Sequence, residues 1–182
     1  ALHFLGKASV QPGERVLVIG ASGSVGTATI QLAKHLGAHV TGVTSGANAE
    51  IVRAMGADGV IDYKREDPLQ ITDGYDVIVD TVGDTPMSRC RHALRRGGRL
   101  LAVAGSLSTI VGAPIVTALG TKKLIAGVAP ESRMVAERLA QLATEAVLRP
   151  FIDERYDFSQ MREAHARVAS RRKRGNVVVL VP

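Results

Sequence analysis

The chain is poor in cysteine and in aromatic residues, and each shortage excludes a class of protein. Cys90 is the only cysteine among 182 residues. Neither an internal disulfide nor a multi-cysteine zinc site can therefore form within this stretch, and a reducing, cytoplasmic setting is expected. Aromatic residues make up 3% of the chain, which leaves few side chains on which nucleic-acid bases stack.

Long hydrophobic runs are also missing. No apolar run approaches the ~20 residues that a membrane-spanning helix needs. Residues 1–10 lack the charged start and long apolar centre of a secretory signal. With 46% hydrophobic residues, the chain is expected to bury the core of a single domain and to have no membrane partner.

Positive charges exceed negative charges by six, and two clusters carry much of the excess. The clusters are Arg89, Arg91, Arg95, Arg96 and Arg99 on one side and residues 171–174 on the other. A basic patch is one signature of nucleic-acid binding. Both clusters, however, lie near predicted helix ends, where the helix dipole favours cations. Because aromatics are also scarce, we expect no nucleic-acid partner.

What the chain does contain is a glycine-rich turn between a predicted strand and a predicted helix. Residues 15–19 are an apolar run typical of a buried strand, and apolar residues recur at helical spacing from Val25 to Leu36. The turn is Gly20, Ala21, Ser22, Gly23, Ser24, Val25 and Gly26. A strand, a tight turn and a helix in this order direct unpaired helix N–H groups at one place, which suits a dinucleotide diphosphate.

The three glycines have different expected tasks. Gly20 permits a sharp turn, Gly23 leaves room for a ligand to approach the backbone, and Gly26 lets the helix pack closely on the sheet. A tight turn that binds nothing is the alternative interpretation.

Strand-like and helical patterns alternate along most of the chain. We expect strands at residues 15–19, 39–43, 59–62, 75–79, 98–104 and 122–128, and helices at 25–36, 48–55, 85–94 and 132–147. An extended segment at 151–156, a helix at 159–170 that begins at a Ser159 cap and a strand at 176–181 follow. Near-continuous apolar strands between helices predict an α/β fold: a doubly wound parallel sheet, or Rossmann fold, with strand order 3-2-1-4-5-6.

Several short motifs are each too common to identify a family, but their order and spacing along the chain are specific when taken together. They are Gly20-Ala21-Ser22-Gly23-Ser24-Val25-Gly26, Gln31-Leu32-Ala33-Lys34, Gly56-Ala57-Asp58, Ile61-Asp62-Tyr63, Tyr75-Asp76-Val77-Ile78-Val79-Asp80, Gly97-Gly98-Arg99-Leu100 and Gly175-Asn176-Val177-Val178. Together they resemble the cofactor-binding part of the medium-chain dehydrogenase/reductase superfamily, in its quinone-oxidoreductase-like branch, which is related to the zinc-type alcohol dehydrogenases.

The resemblance implies a function and a domain organisation. It implies hydride transfer between NAD(P)H and a small-molecule substrate, namely a quinone, a carbonyl or an activated alkene. It also implies an NAD(P)-binding domain at residues 1–150 and a segment at 151–182 that returns to a catalytic domain not contained in this chain. Relatives commonly dimerise through the last strand of the sheet, here near residues 122–128. A stand-alone, non-catalytic NAD(P)-binding or sensing module is the alternative.

A cofactor in such a sheet lies across the carboxyl ends of the strands. Beyond the glycine turn, the expected lining is Thr44, Ser45, Asn48, Tyr63, Val82, Gly83, Gly105 and Ser106. NAD-binding relatives carry an acidic residue where Thr44 stands, so the neutral threonine and the small donors after it favour NADP(H) over NAD(H). Arg53 and Lys64 are candidate partners of the extra phosphate. Capping of the next helix by Ser45 and Asn48 is the alternative.

Nothing in the sequence identifies a catalytic acid or base. No tyrosine is followed four residues later by lysine, as a short-chain reductase requires, and Thr44 also disfavours a class I methyltransferase. Cys90 and His92 are two positions apart, so they do not face each other on a helix. We therefore expect no metal site within this chain.

Overall fold

The apolar runs of the sequence form the strands of one parallel sheet. The computed structural model describes residues 1–105, 109, 113, 117, 121–129 and 132–182. The strands are β1 Arg15–Ile19, β2 His39–Thr44, β3 Gly59–Asp62, β4 Tyr75–Asp80, β5 Leu94–Ala102 and β6 Lys123–Ala126. They lie in the order β3-β2-β1-β4-β5-β6 and all neighbours run parallel. The predicted α/β fold and strand order are therefore confirmed.

Helices cover both faces of this sheet. They are α1 Leu2–Ala8, α2 Ser24–His35, α3 Ala49–Ala54, α4 Met87–Ala93 and α5 Arg133–Thr144, with a 3-10 turn at Gly46–Asn48. Val16 and Val18 pack in one core with α1 and α2, whereas Leu17 packs in the other core with Cys90 of α4. Because successive strand residues face different helices, neither face tolerates polar side chains, and this explains the unbroken apolar run of β1.

The predicted bounds around α4 and β5 are wrong by several residues. The helix expected at 85–94 begins at Met87 because Pro86, the residue before it, has an extended conformation. The strand expected at 98–104 begins already at Leu94, which pairs with Tyr75, and the register then shifts before Val77 meets Arg99. Gly97 and Gly98, which suggested that the strand starts later, lie within this shift of register.

The C-terminal part of the chain forms a second, two-stranded parallel sheet. Strands β7 Ile152–Asp157 and β8 Asn176–Leu180 flank helix α6 Met161–Ala169. A 3-10 turn at Phe158–Gln160 precedes α6, and the backbone N–H of Asp157 donates to Gln160 Oε1 at 3.1 Å. The cap expected at Ser159 is therefore wrong. The division of the chain into domains at 150 and 151 stays a prediction.

Arginines of the first basic cluster pair with acids of the same chain. Arg99 donates from both terminal nitrogens to Glu14, each at 2.7 Å, and from Nε to the Ala8 carbonyl at 3.1 Å. Burial pushes the pKa of Glu14 upward, but the Arg99 hydrogen bond and charge outweigh it, so this pKa lies below its usual value. Arg89 pairs with Asp67 and Arg95 with Asp76. These arginines thus have structural partners.

Of the helices in the described part of the chain, none combines the length and the apolarity that crossing a bilayer requires.

Gly26 offers a direct test of the packing between α2 and the turn before it. A Cβ at this position would lie 2.2 Å from the Gly20 carbonyl oxygen, which is backbone and cannot move aside cheaply. We expect Gly26→Ala to destabilise the fold by about 3 kcal/mol. Gly6→Ala in α1 is the matched control, because a Cβ there meets nothing within 4 Å. Urea unfolding should find Gly6→Ala at least as stable as wild type; an equally stable Gly26→Ala would contradict the packing argument.

Candidate functional site

The turn between β1 and α2 exposes the start of a helix to the open edge of the sheet. Gly20 has a φ of +78°, which L side chains rarely adopt, and the Gly23 N–H donates to its carbonyl at 3.1 Å. The first hydrogen bond of α2 joins the Thr27 N–H to the Gly23 carbonyl at 2.9 Å. The amides of residues 24–26 therefore precede the helical ladder. The first turn of α2 carries no acidic residue, so this end is suited to an anion.

A cleft of about 1300 Å³ runs along the carboxyl ends of the strands beside this turn. It brings together seven residues predicted from the sequence: Gly20, Ser22, Thr44, Ser45, Asn48, Tyr63 and Val82. The hydroxyl of Ser22 accepts hydrogen bonds from Thr44 Oγ1 at 2.9 Å and from Asn48 Nδ2 at 3.3 Å. These bonds join the glycine turn to the segment after β2, so the two walls form one surface.

Other predicted residues lie elsewhere. Gly83 and Gly105 line a neighbouring cavity of about 320 Å³. Ala21 is fully buried and Gly26 packs beneath the turn, while Gly23, Ser24 and Val25 form the start of the helix without lining the cleft. Ser106 lies outside the described residues. Neither Ser45 nor Asn48 uses its side chain as a helix cap, which removes the alternative role for this pair.

Asp80 is a site residue that sequence reasoning missed. Its carboxylate ends β4 and is 1% exposed. Oδ1 accepts the N–H groups of Val82 at 2.9 Å and Gly83 at 3.0 Å, and Oδ2 accepts that of Thr85 at 2.9 Å. The loop that lines both cavities therefore takes its shape from this carboxylate. An acid directly after the apolar run Val77-Ile78-Val79 was the available signal.

Sequence reasoning also missed that the second basic cluster, residues 171–174, contributes to the cleft. Its interpretation as the cationic end of a helix is incomplete, because Arg171, Arg172 and Lys173 line the cleft. Lys173 Nζ lies 2.6 Å from Ser24 Oγ and 2.7 Å from the Gly175 carbonyl oxygen. Burial lowers the pKa of Lys173, and the charge of Asp153 acts in the opposite direction. The contact between Ser24 and Gly175 joins residues 151 positions apart, so no local pattern indicated it.

Of the two candidate partners of the extra phosphate, Lys64 and Arg53, only one lines the cleft as described. Lys64 lines the cleft, and Arg65 beside it does so too, whereas Arg53 is not among the lining residues described. The wall therefore carries cations from two distant parts of the chain.

The described residues do not fit a metal site. Cys90 is fully buried, and burial raises the pKa of its thiol to about 12. His92 is exposed, and its Nε2 forms a hydrogen bond of 2.5 Å with Thr72 Oγ1. The two side chains thus point to different surroundings. Across the described ranges, no three histidine, cysteine, aspartate or glutamate side chains come together as metal ligands would.

Comparisons with known proteins agree with this architecture. Residues 55–179, more than half of the chain, match the family model described as zinc-binding dehydrogenase. The mitochondrial NAD(P)H oxidoreductase RTN4IP1 of Mus musculus is 34% identical over 194 residues, covering 93% of this chain and 48% of the relative. The chloroplastic NADPH-dependent alkenal/one oxidoreductase of Arabidopsis thaliana is 28% identical, covering 92% of this chain and 40% of the relative.

One solved structure is similar to this chain over its whole length. The quinone oxidoreductase from Coxiella burnetii superposes with a TM-score of 0.87 at 26% identity, covering all of this chain and 57% of that protein. The chain thus spans about half the length of the curated relatives it matches. Because those relatives are named as mitochondrial and chloroplastic, the expected cytoplasmic location stays a prediction.

The role of Asp80 is testable by stability and by amide exchange. Asp80→Asn keeps the shape but replaces the charged acceptor of three backbone N–H groups, so we expect a loss of about 2 kcal/mol. Amide exchange at Val82 and Gly83 should accelerate. Asp84→Asn in the same loop is the control, since Asp84 is exposed and should change stability by less than ~0.5 kcal/mol. Equal stabilities of the two variants would refute the assigned role.

Proposed function

This chain belongs to the zinc-binding dehydrogenase family, in the quinone-oxidoreductase-like branch of the medium-chain dehydrogenases/reductases, and we propose that it is the cofactor-binding part of an NAD(P)H-dependent oxidoreductase. The observation that carries this proposal is the glycine turn before α2, whose Gly20 and Ser22 line a cleft at the point where the strand order reverses, between β1 and β4. Dinucleotides bind at that point of doubly wound sheets. The names of two relatives, an NAD(P)H oxidoreductase and an NADPH-dependent oxidoreductase, support the cofactor class.

The proposed binding mode divides the cofactor along the cleft. The diphosphate would lie against the amides of residues 24–26 and the ammonium of Lys173. The adenosine would lie between Tyr63 and Val82, whose side chains are 58% and 52% exposed and offer apolar surface. The nicotinamide would extend toward Gly83 and Gly105.

The bound nicotinamide would supply hydride transfer to a quinone, a carbonyl or an activated alkene. This chain's own residues would bind the dinucleotide, orient it and keep water from part of it. We assign no catalytic acid or base within the chain. Residues 151–182 would belong to the catalytic domain, and the substrate pocket would be built largely by the rest of that domain.

We further propose that NADP(H) binds more tightly than NAD(H). Thr44 is neutral where NAD-binding proteins carry an acid. The described lining of the cleft carries six cations, among them Lys64, Arg65, Arg171 and Arg172, against the three acids Glu66, Asp67 and Asp84, and this excess supplies positive charge for a ribose phosphate. The acid at the end of β3, Asp62, accepts the Lys64 N–H at 3.0 Å and is not among the described lining residues.

The cofactor proposal is tested by titrating this chain with NADPH and NADH and by changing Ser45. Ser45→Asp would set a carboxylate where the ribose phosphate is expected, so NADPH affinity should fall about a hundredfold while NADH affinity changes less than about threefold. Ser9→Asp is the control, because Ser9 is exposed and distant from the cleft lining. Calorimetry gives both affinities.

Equal losses for the two cofactors would remove Ser45 from the phosphate site. Binding of neither cofactor to the unmodified chain would overturn the proposed function. Tight binding without quinone reduction is the result that we expect, because half of the catalytic cleft lies outside this chain. Quinone turnover by the chain alone would contradict that expectation. A non-catalytic sensing module remains the alternative, and the longer protein distinguishes the two by its quinone reductase activity.

Assembly is a separate proposal, namely a homodimer through the edge strand β6. In the described part of the chain, β6 pairs with β5 on one side and has no strand on the other. An open edge carries unpaired backbone groups that a second copy can satisfy across a two-fold axis. Sedimentation at high micromolar concentration should give twice the 19.2 kDa of one chain; a monomer would contradict the proposal.

A further inference from the structure

The structure contains a buried acid that the proposed cofactor site does not touch. We infer that Asp153 of β7 is a positioning residue for the cofactor diphosphate, because it orients the peptide that carries Lys173 toward the glycine turn. The inference rests on the proposed function, since it concerns how the same site holds a dinucleotide.

Asp153 is the centre of an arginine cluster. Its side chain is completely buried in two ion pairs. Arg167 of α6 donates to Oδ2 from Nη2 at 2.6 Å and from Nε at 2.9 Å, and Arg174 donates to Oδ1 from Nε at 2.9 Å. Burial alone would raise the pKa of Asp153, but the hydrogen bonds from Arg174 and Arg167 outweigh it and lower this pKa. The carboxylate is therefore a fixed anion at neutral pH.

Asp153 also holds the residue next to Lys173. Arg174 Nε donates to Asp153 Oδ1 at 2.9 Å, and Arg174 follows Lys173 directly in the chain. On the other side of the same segment, the Gly175 N–H donates to the Ser22 carbonyl at 2.7 Å. The segment thus has one anchor in the small sheet and one in the glycine turn, at the two residues that directly follow Lys173.

The ammonium of Lys173 lies at the start of α2. It contacts Ser24 Oγ at 2.6 Å and the Gly175 carbonyl oxygen at 2.7 Å, at the helix end where the dipole favours an anion over a cation. That first turn contains no acidic residue to compensate. A diphosphate between the helix start and the ammonium would be attracted by both. Anchors that hold the cation in place before the anion binds reduce the conformational entropy that is lost on binding, which is the general effect of preorganisation.

The experiment compares ligands with and without the diphosphate. We expect Asp153→Asn to weaken ADP binding about tenfold, the equivalent of one charge-assisted hydrogen bond, while adenosine binding stays within about twofold. A general loosening of the fold would weaken both ligands. Titrations followed by NMR give both dissociation constants, and thermal unfolding reports the fold. Glu154→Gln is the matched control, because it removes one negative charge at the next residue, where Glu154 contacts Arg167 at 3.3 Å.

A double-variant cycle tests whether Asp153 acts through Lys173. Lys173→Met should weaken ADP about as much as Asp153→Asn, and the combined variant should lose no more than either alone. Additive losses would overturn the inference. If Asp153→Asn fails to fold, Arg174→Met replaces it, since Arg167 still pairs with Asp153 there; unchanged ADP affinity in that variant would also overturn it.

The two levels of proposal fail in different ways. An unmodified chain that binds neither NADPH nor ADP would overturn the proposed function. An unmodified chain that binds both, with an ADP preference over adenosine that Asp153→Asn leaves intact, would overturn only the role of Asp153.

Discussion

The close approach of α2 to the turn after β1 is the constraint on which the rest of the candidate site depends. Because Gly26 has no side chain, the helix packs against the Gly20 carbonyl at a distance that any Cβ would prevent. This contact buries Ala21 and fixes the direction in which the helix start points. The glycine turn consequently stays at the carboxyl ends of the strands, where Gly20 and Ser22 line the cleft. A Cβ at residue 26 would force α2 and this turn apart.

Two buried acids organise the loops around this fixed point. Asp80 accepts hydrogen bonds from three backbone N–H groups at the end of β4, and Asp153 accepts hydrogen bonds from two arginine side chains at the start of β7. Neither carboxylate lines the large cleft. Each carboxylate accepts several hydrogen bonds, and because a partly satisfied network around a buried carboxylate is costly, each favours one arrangement of the segment that it binds. The large cleft therefore owes part of its shape to two acids outside its described lining.

The sequence was sufficient to predict the sheet and the glycine turn, because both depend on local patterns. Strand β1 is recognisable from the four apolar residues 16–19 and α2 from its periodicity, and the alternation of strands and helices favours a doubly wound sheet. The bounds near Pro86 and Leu94 were not predictable from these patterns, since the start of β5 depends on pairing with Tyr75 across a register shift. The cationic wall was missed for a related reason. Residues 171–173 reach the turn only through tertiary contacts, and in sequence they resemble an ordinary helix end.

The path of residues 151–182 has a thermodynamic consequence. Gln31 of α2 exchanges hydrogen bonds with the backbone of Arg149, at 2.8 and 3.1 Å, and Gly175 bonds to Ser22. The chain from Arg149 onward is thus attached at two places, to α2 through Gln31 and to the glycine turn through Ser22, and the second place lies beside the proposed diphosphate position. An anion that binds both Lys173 and the start of α2 would stabilise this attachment. By thermodynamic linkage, attachment of the segment would strengthen anion binding by the same free energy. Under the proposed binding mode, cofactor affinity and the attachment of the C-terminal sheet are therefore coupled, although the residues involved are far apart in the chain.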